Sequence, residues 1–199
     1  NAFLRRNGLY RPHAPSILVT GMMGIASSLV DGFERQGFTV YRVNRLREFV
    51  MNHHIDSIRP AAVVNMAHGR VGDYLVRYLE KANILMFAPL NVNRLVDDWQ
   101  NDKQGMMGGF LSQSVVVPEI DGAIRPYVVF AHRVGKDGLH EAFAVPERLD
   151  AFVKTLGNYV RLQSKPNHRK RLAIYYYKGP GTSALTASGM EVAPSLYNV

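Results

Sequence analysis

A histidine and an arginine stand together where the sequence predicts the end of a buried strand. Residues 61–66 form a continuous apolar run, typical of a strand covered on both faces, and His68, Gly69 and Arg70 follow it. Open α/β sheets bind ligands beyond the carboxyl ends of their strands. A histidine there can bind a metal or transfer a proton, and an arginine can hold a carboxylate through two parallel hydrogen bonds. We predict a substrate-binding site at these three residues, with an ordinary capped loop as the alternative.

A glycine loop at residues 21–24 (Gly-Met-Met-Gly) lies between a predicted strand and a predicted helix. Such a loop lets backbone N–H groups approach a phosphate. The dinucleotide-binding fingerprint needs a further glycine where Val19 stands, and an acidic residue near Asn44 and Arg45. A nucleotide-binding α/β domain is therefore an alternative function, and a tight structural turn is the simpler interpretation.

Residues 178–183 (Lys-Gly-Pro-Gly-Thr-Ser) form another glycine loop, which lacks the Gly-Lys-Ser/Thr ending of a Walker motif. The sequence also holds no Gly-x-Ser-x-Gly elbow and no His-Glu-x-x-His helix. ATP hydrolysis and triad chemistry are not indicated by these residues.

The histidines and methionines give no metal signature. The chain has no cysteine, and the adjacent His53 and His54 would point about 100° apart on a helix. The other histidines lack partners at helical spacing, so we predict no metal site in these residues. Two methionine pairs, at residues 22–23 and 106–107, either fill gaps in the core or pack against a flat ligand.

The composition and net charge limit the classes of partner that this chain is expected to bind. The 199 residues are 47% apolar and carry a net charge of +8, which together predict a folded domain that attracts anions. The basic run at residues 168–171 lacks the aromatic residues of a nucleic-acid-binding module, so nucleic acid is not an expected partner. The apolar runs are far shorter than the roughly 20 residues that span a bilayer, and no signal peptide is visible. We expect a soluble protein without a membrane span, located in the cytoplasm.

Repeated strand–helix units must position these residues. Amphipathic helices alternate with predicted strands at residues 16–20, 38–43, 61–66 and 84–87. This alternation predicts an α/β fold with a mainly parallel sheet and helices on both faces, a three-layer arrangement of the flavodoxin or Rossmann type. After an irregular stretch, further strands are predicted at residues 114–117 and 127–132, and a long helix at residues 146–163.

The predicted elements suggest an α/β domain at residues 3–165, a basic linker at residues 166–170, and a following lobe at residues 171–199. That last segment has the pattern of a strand, a glycine loop and the opening of a helix. We therefore expect a fragment of a larger multidomain subunit.

Three segments resemble the large subunit of the cobaltochelatase and magnesium chelatase family. Residues 117–126 resemble its Pro-Glu-(Leu/Ile)-Asp-Gly-x-Ile-x-Pro signature, residues 162–175 its passage from helix through basic linker to strand, and residues 187–196 the start of its next lobe. With residues 89–91 and the lone Trp99, the resemblance covers most of residues 84–199. It implies a subunit that binds a porphyrin or corrin and a divalent metal as substrates, and that uses ATP only through separate ATPase subunits.

The resemblance also implies candidate substrate-binding positions, at Glu119 and Asp121 and at Gly179, Gly181 and Ser183. For the two acidic residues a β-turn at residues 120–123 is the alternative. Residues 178–181 (Lys-Gly-Pro-Gly) differ from the family's usual Pro-Pro-Gly-Lys-Gly, and a haem-demetallating subgroup of anaerobes is therefore an alternative to cobalt insertion.

Three functions remain open at this level. The first is a tetrapyrrole-binding domain that contributes to metal insertion or removal. The second is a non-catalytic interaction lobe that docks the remaining lobes of the subunit or the ATPase subunits. The third is the nucleotide-binding domain. No residue is assigned a catalytic role.

Overall fold

A computed structural model of the protein describes residues 2–21, 26–173 and 192–197. One six-stranded sheet runs through these residues. Its strands are β1 (Ser16–Thr20), β2 (Thr39–Val43), β3 (Ala62–Asn65), β4 (Leu85–Leu95), β5 (Ala123–Val134) and β6 (His140–Ala144).

The helices alternate with the strands. They are α1 (Ala2–Arg6), α2 (Ala26–Arg35), α3 (Leu46–Met51), α4 (His54–Ile58), α5 (Asp73–Lys81), α6 (Val96–Asn101), α7 (Gly108–Leu111), α8 (Val117–Ile120), α9 (Pro146–Ser164) and α10 (Val192–Tyr197). A π-helical turn, Ser112–Val116, joins α7 to α8, and a 3₁₀ turn covers Asn167–Arg169.

The sheet confirms the predicted fold class. Its order is β2-β1-β3-β4-β5-β6, with β1 to β5 parallel and β6 antiparallel at one edge. The order of the first five strands is that of flavodoxin-like folds, in which the chain reverses its direction across the sheet between β1 and β3. Ligands in such folds bind at that reversal, outside the carboxyl ends of the strands.

Helices cover both faces of the sheet because alternate residues of each strand point to opposite sides. Ile17 and Val19 belong to the apolar cluster with α2 and α9, where the Phe33 and Phe152 rings meet edge-on with centroids 6.4 Å apart. Leu18, between them, packs in the opposite cluster with α3, α4 and α5. These two apolar layers are the core that the strand–helix periodicity predicted.

Strands β4 and β5 are longer than their predicted segments. Both extend past β1, β2 and β3, and β6 pairs with the extended part of β5. A third apolar cluster, which includes Leu90, Val92, Val128 and Ala131, packs on this extension. The register of β4 against β5 shifts at Pro89 and again at Asn91. The extension thus carries a small core of its own beside the carboxyl edge.

The strand predicted at residues 114–117 is wrong. These residues lie in a continuous helical segment from α7 through the π-helical turn to α8, residues 108–120. Three successive valines favour a strand locally. However, β4 and β5 are parallel, and a connection between parallel neighbours has to cross over the sheet, usually as a helix.

The chain divides into two compact units, residues 1–163 and residues 164–199. The first unit contains the whole sheet. In the second, the structure describes the 3₁₀ turn and α10, while the predicted glycine loop with Gly179, Gly181 and Ser183 lies outside the described residues. No helix in the described ranges is long and apolar enough to cross a membrane.

Candidate functional site at the carboxyl edge of the sheet

The loops that follow β1 and β3 touch at the point of chain reversal. Gly21 has a left-handed backbone with φ +70°, and a Cβ added there would lie 2.2 Å from the backbone nitrogen of Ala67. The side chain of the buried Asn65 folds back and accepts a hydrogen bond from the Ala67 N–H at 3.0 Å. These contacts fix the position of the backbone immediately before His68.

Two motifs predicted separately meet beside this contact. The side chain of Asp121 is fully buried, and its carboxylate accepts hydrogen bonds from Nε of Arg70 and from the backbone N–H of Val71, the latter at 2.6 Å. Asp121 also stands in the predicted turn, since Gly122 follows it with φ +88°. The loop after β3 is therefore tied to the turn before β5.

The side chain of Arg70 is held at one end and open at the other. Its Nε is used by Asp121, and one terminal nitrogen lies 3.4 Å from the exposed carboxylate of Asp73. The side chain stays 48% exposed. A two-pronged bond to a ligand carboxylate therefore has to use the two terminal nitrogens.

His68 lies where two depressions adjoin. A crevice of about 160 Å³ at the reversal point is lined by Gly21, Arg47 and Arg70, and a smaller one of about 50 Å³ is lined by Asn91 and Ser114. Asn65, Ala67 and His68 line both. The imidazole is exposed and makes no hydrogen bond to any residue in the described part of the chain.

A third and larger depression continues along the same edge. It has a volume of about 330 Å³ and a mixed wall, in which the apolar side chains of Trp99, Met106, Met107 and Phe110 stand beside polar and charged residues. Asn93 lines both this hollow and the small depression beside His68. We call the three adjoining depressions the edge groove.

Charged groups on the hollow neutralise each other. A terminal nitrogen of Arg94 lies 2.5 Å from a carboxylate oxygen of Asp102, whose other oxygen accepts the Gln104 N–H at 2.8 Å. The hydrogen bond from the Gln104 backbone N–H makes the largest contribution to lowering the pKa of the Asp102 carboxyl, and Arg94 makes a smaller one. This ionised carboxylate fixes the start of the segment between α6 and α7, residues 102–107, which we call the methionine loop.

The π-helical turn places a polar side chain in an apolar setting. Ser114 is 7% exposed, lines the small depression, and its Oγ has no hydrogen-bond partner among the residues that the structure describes. Buried hydroxyls are normally satisfied, and π-helical turns are frequent at functional sites. No local sequence pattern marks Ser114 as part of a site, because its neighbours favour a strand.

The remaining predicted residues do not join this groove. Glu119 is exposed and its side chain makes no hydrogen bond or ion pair with a described residue, while the three residues of the second glycine loop are outside the described ranges. Residues 2–21, 26–173 and 192–197 contain no cluster of three or more potential metal ligands. Sequence reasoning missed Arg47 and Arg94. They line the groove because the fold brings α3, which follows β2, and the end of β4 to the same edge of the sheet.

Two curated proteins are similar to this chain in sequence. The chain is 26% identical over 115 residues to the uncharacterized protein MJ1441 of Methanocaldococcus jannaschii, covering 57% of this chain and 9% of that protein. It is 24% identical over 129 residues to MJ0908 of the same organism, covering 61% of this chain and 10% of that protein. The chain thus spans about a tenth of the length of the curated relatives it matches.

A solved structure has the same fold. The catalytic subunit of cobaltochelatase from Mycobacterium tuberculosis superposes with a TM-score of 0.64 at 21% identity, over 81% of this chain and 16% of that chain. The model of the family described as CobN/magnesium chelatase matches residues 13–199, which is nearly the whole sequence. The chain belongs to the CobN/magnesium chelatase family.

Proposed function

We propose that this domain is a tetrapyrrole-binding lobe of a chelatase large subunit and that the macrocycle lies along the edge groove. One observation carries the proposal: a hollow lined by aromatic and methionine side chains and a crevice lined by arginines lie on the same edge of the sheet. A porphyrin or corrin combines the matching properties, a flat apolar ring and anionic side chains.

The residues of the hollow suit the face of a ring. Trp99 supplies a large apolar surface, and Met106 and Met107 supply flexible, polarizable side chains that adapt to a flat partner. Ligand sites are mostly apolar, with a few placed polar groups that set orientation. In the edge groove those groups are His68 and Arg70.

The metal is a substrate in this proposal. The described residues offer it no ligand cluster, so we assign its insertion or removal to a longer subunit, with ATP used by separate ATPase subunits in the cytoplasm. The same groove serves insertion and haem demetallation. Parallel assays of the full-length subunit with haem and with a metal-free corrin distinguish the two directions.

The lone Trp99 gives a direct test. Because it lines the hollow, a bound macrocycle quenches its fluorescence, and a titration of this chain with a metal-free porphyrin should saturate. Met107→Ala should weaken binding about five-fold, the equivalent of about 1 kcal/mol of lost contact. Met51→Ala is the matched control, since both methionines are about half exposed but Met51 lies on α3, outside the groove. Absence of saturable quenching would remove the proposal.

A second candidate function is the interaction lobe. Leu111, Val116 and Ile120 are exposed on the helical segment of residues 108–120, and Ile120 is 60% exposed. Clustered exposed apolar side chains mark protein–protein contacts. This function is favoured if the isolated chain gives no spectral change with a porphyrin while the full-length subunit binds it.

A further inference from the structure

We propose that the crevice at the β1–β3 reversal binds an anionic oxygen group, a carboxylate or a phosphate, through Arg47 and Arg70. This deepens the proposed function and rests on it where the anionic group belongs to a macrocycle, because that function already matches the same crevice to anionic side chains. The two side chains come from α3 and from the loop after β3, and they line one crevice of about 160 Å³.

The lining of the crevice is one-sided in charge. The described residues that line it include two arginines and His68 and no aspartate or glutamate. Backbone of Gly21 and Gly69 lines it as well, so little side-chain bulk stands between a ligand and the loops. A crevice lined by one sign of charge concentrates ligands of the opposite sign.

Arg47 carries the uncompensated charge. Its neighbour Arg45 is paired with Glu48 at 3.2 Å, on the outside of α3. Arg47 forms no hydrogen bond or ion pair with any residue described in the structure. Its charge is therefore available to a ligand.

Arg70 supplies directed donors. Asp121 is a positioning residue, because its buried carboxylate holds Nε of Arg70. The guanidinium stays about half exposed, and one of its terminal nitrogens lies 3.4 Å from the exposed carboxylate of Asp73, which a ligand oxygen would displace. The charge of Asp121 balances that of Arg70, so Arg47 provides the attraction and Arg70 the orientation. Guanidinium groups match planar carboxylates and phosphates through paired hydrogen bonds.

The first test uses inorganic phosphate as the probe, with binding followed by NMR shifts of the ¹⁵N-labelled chain. Arg47→Gln should weaken phosphate binding about five-fold or more, as expected for a lost charge-assisted hydrogen bond. The matched control is Arg77→Gln on α5, which removes the same charge from an exposed site outside the crevice and should change affinity by less than about two-fold. Equal weakening by both variants, or shifts that do not map to the crevice, would overturn the site.

A second variant at the same position separates a loss of the charge from a general disturbance of the fold. Arg47→Lys retains the charge without the planar fork and should bind more weakly than the wild type but more tightly than Arg47→Gln. If the lysine and glutamine variants bind equally, the charge at this position is irrelevant and the proposal fails.

The source of the anionic group is decided by competition. A porphyrin with free carboxylates that displaces phosphate, while its methyl ester does not, indicates tetrapyrrole side chains, whereas displacement by ADP indicates a nucleotide. Phosphate that neither competitor displaces is an adventitious ion only, and overturns the proposal. Quenching of Trp99 by the ester, with equal phosphate affinity in the wild type and Arg47→Gln, would overturn this inference and leave the proposed function standing.

Discussion

Arg70 and Asp121 form an ion pair although 51 residues separate them in the sequence. Asp121 is buried completely, whereas the side chain of Arg70 is about half exposed. The pair therefore joins the interior to the edge groove. A family signature that reads in sequence as a turn holds, in the structure, the loop that carries His68 and Arg70.

Replacement of Asp121 by asparagine should lower the free energy of unfolding by about 1–3 kcal/mol, since it leaves the Val71 N–H or the Arg70 guanidinium without its charged acceptor. Urea denaturation measures the change. Glu119→Gln is the matched control two residues away and should cost less than about 0.5 kcal/mol, because Glu119 is exposed and its side chain makes no hydrogen bond or ion pair with described residues. Equal costs would show that the carboxylate of Asp121 has no special role.

Gly21→Ala should destabilise the protein by about 3 kcal/mol, because it combines a left-handed backbone with overpacking against Ala67. Thermal and urea unfolding report the cost. Gly138 in the β5–β6 turn has a similar backbone, φ +79°, but open space around it, so Gly138→Ala should cost only about 1 kcal/mol. A cost at Gly21 no larger than at Gly138 would mean that the two loops are not in contact.

The first four strands could be predicted because local periodicity determines them. Residues 16–20 and 61–66 are continuous apolar runs, and a strand buried on both faces requires such a run. The position of His68 and Arg70 at the carboxyl edge followed from that. Their link to Asp121 did not, because it depends on how β5 is placed beside β4, which no local pattern encodes.

The two errors after residue 110 have one physical origin. Residues 114–117 are helical despite their valines, and β6 pairs antiparallel with β5 although its sequence, His-Glu-Ala-Phe-Ala, gives little strand signal. In both places strand pairing in the sheet, and not the local sequence, determines the secondary structure. A parallel neighbour demands a helical crossover, and an open edge accepts a weakly biased strand through backbone pairing.

Tyr78 should ionise far above the ordinary tyrosine range. Burial is the largest cause and the hydrogen bond to the Asp56 carboxylate the next, and together they raise the pKa of Tyr78 from 10.0 to about 12. The folded state thus binds this proton more tightly than the unfolded state does, so the stabilisation is complete below pH 10.0 and is lost as the pH rises towards about 12. Spectrophotometric titration should show a tyrosine that ionises near pH 12 and that is absent in Tyr78→Phe.

The same variant provides an internal check at low pH. Two hydrogen bonds lower the pKa of the Asp56 carboxyl: the larger effect comes from the Tyr78 hydroxyl and the smaller one from the His53 ring. In Tyr78→Phe the pKa of Asp56 should therefore rise, as measured by NMR of the carboxyl group. An Asp56 titration that is identical in the two proteins would contradict the hydrogen bond between α4 and α5.

Ser114→Ala should stabilise the protein by about 1 kcal/mol, because it removes a buried hydroxyl that has no partner among the described residues. Ser112→Ala, in the same π-helical turn, controls for the better helix propensity of alanine. A loss of stability at Ser114 beyond that at Ser112 would mean that the hydroxyl is satisfied in solution.

The extension of β4 and β5 has a consequence for evolution and for engineering. Leu90, Val92 and Val128 anchor the methionine loop to their own apolar cluster, separate from the two layers beneath the rest of the sheet. Substitutions in that loop are therefore insulated from the folding of the domain. A chimaera that exchanges only residues 102–107 between family members, and keeps Leu90 and Val92, should transplant ligand preference while the melting temperature stays nearly constant.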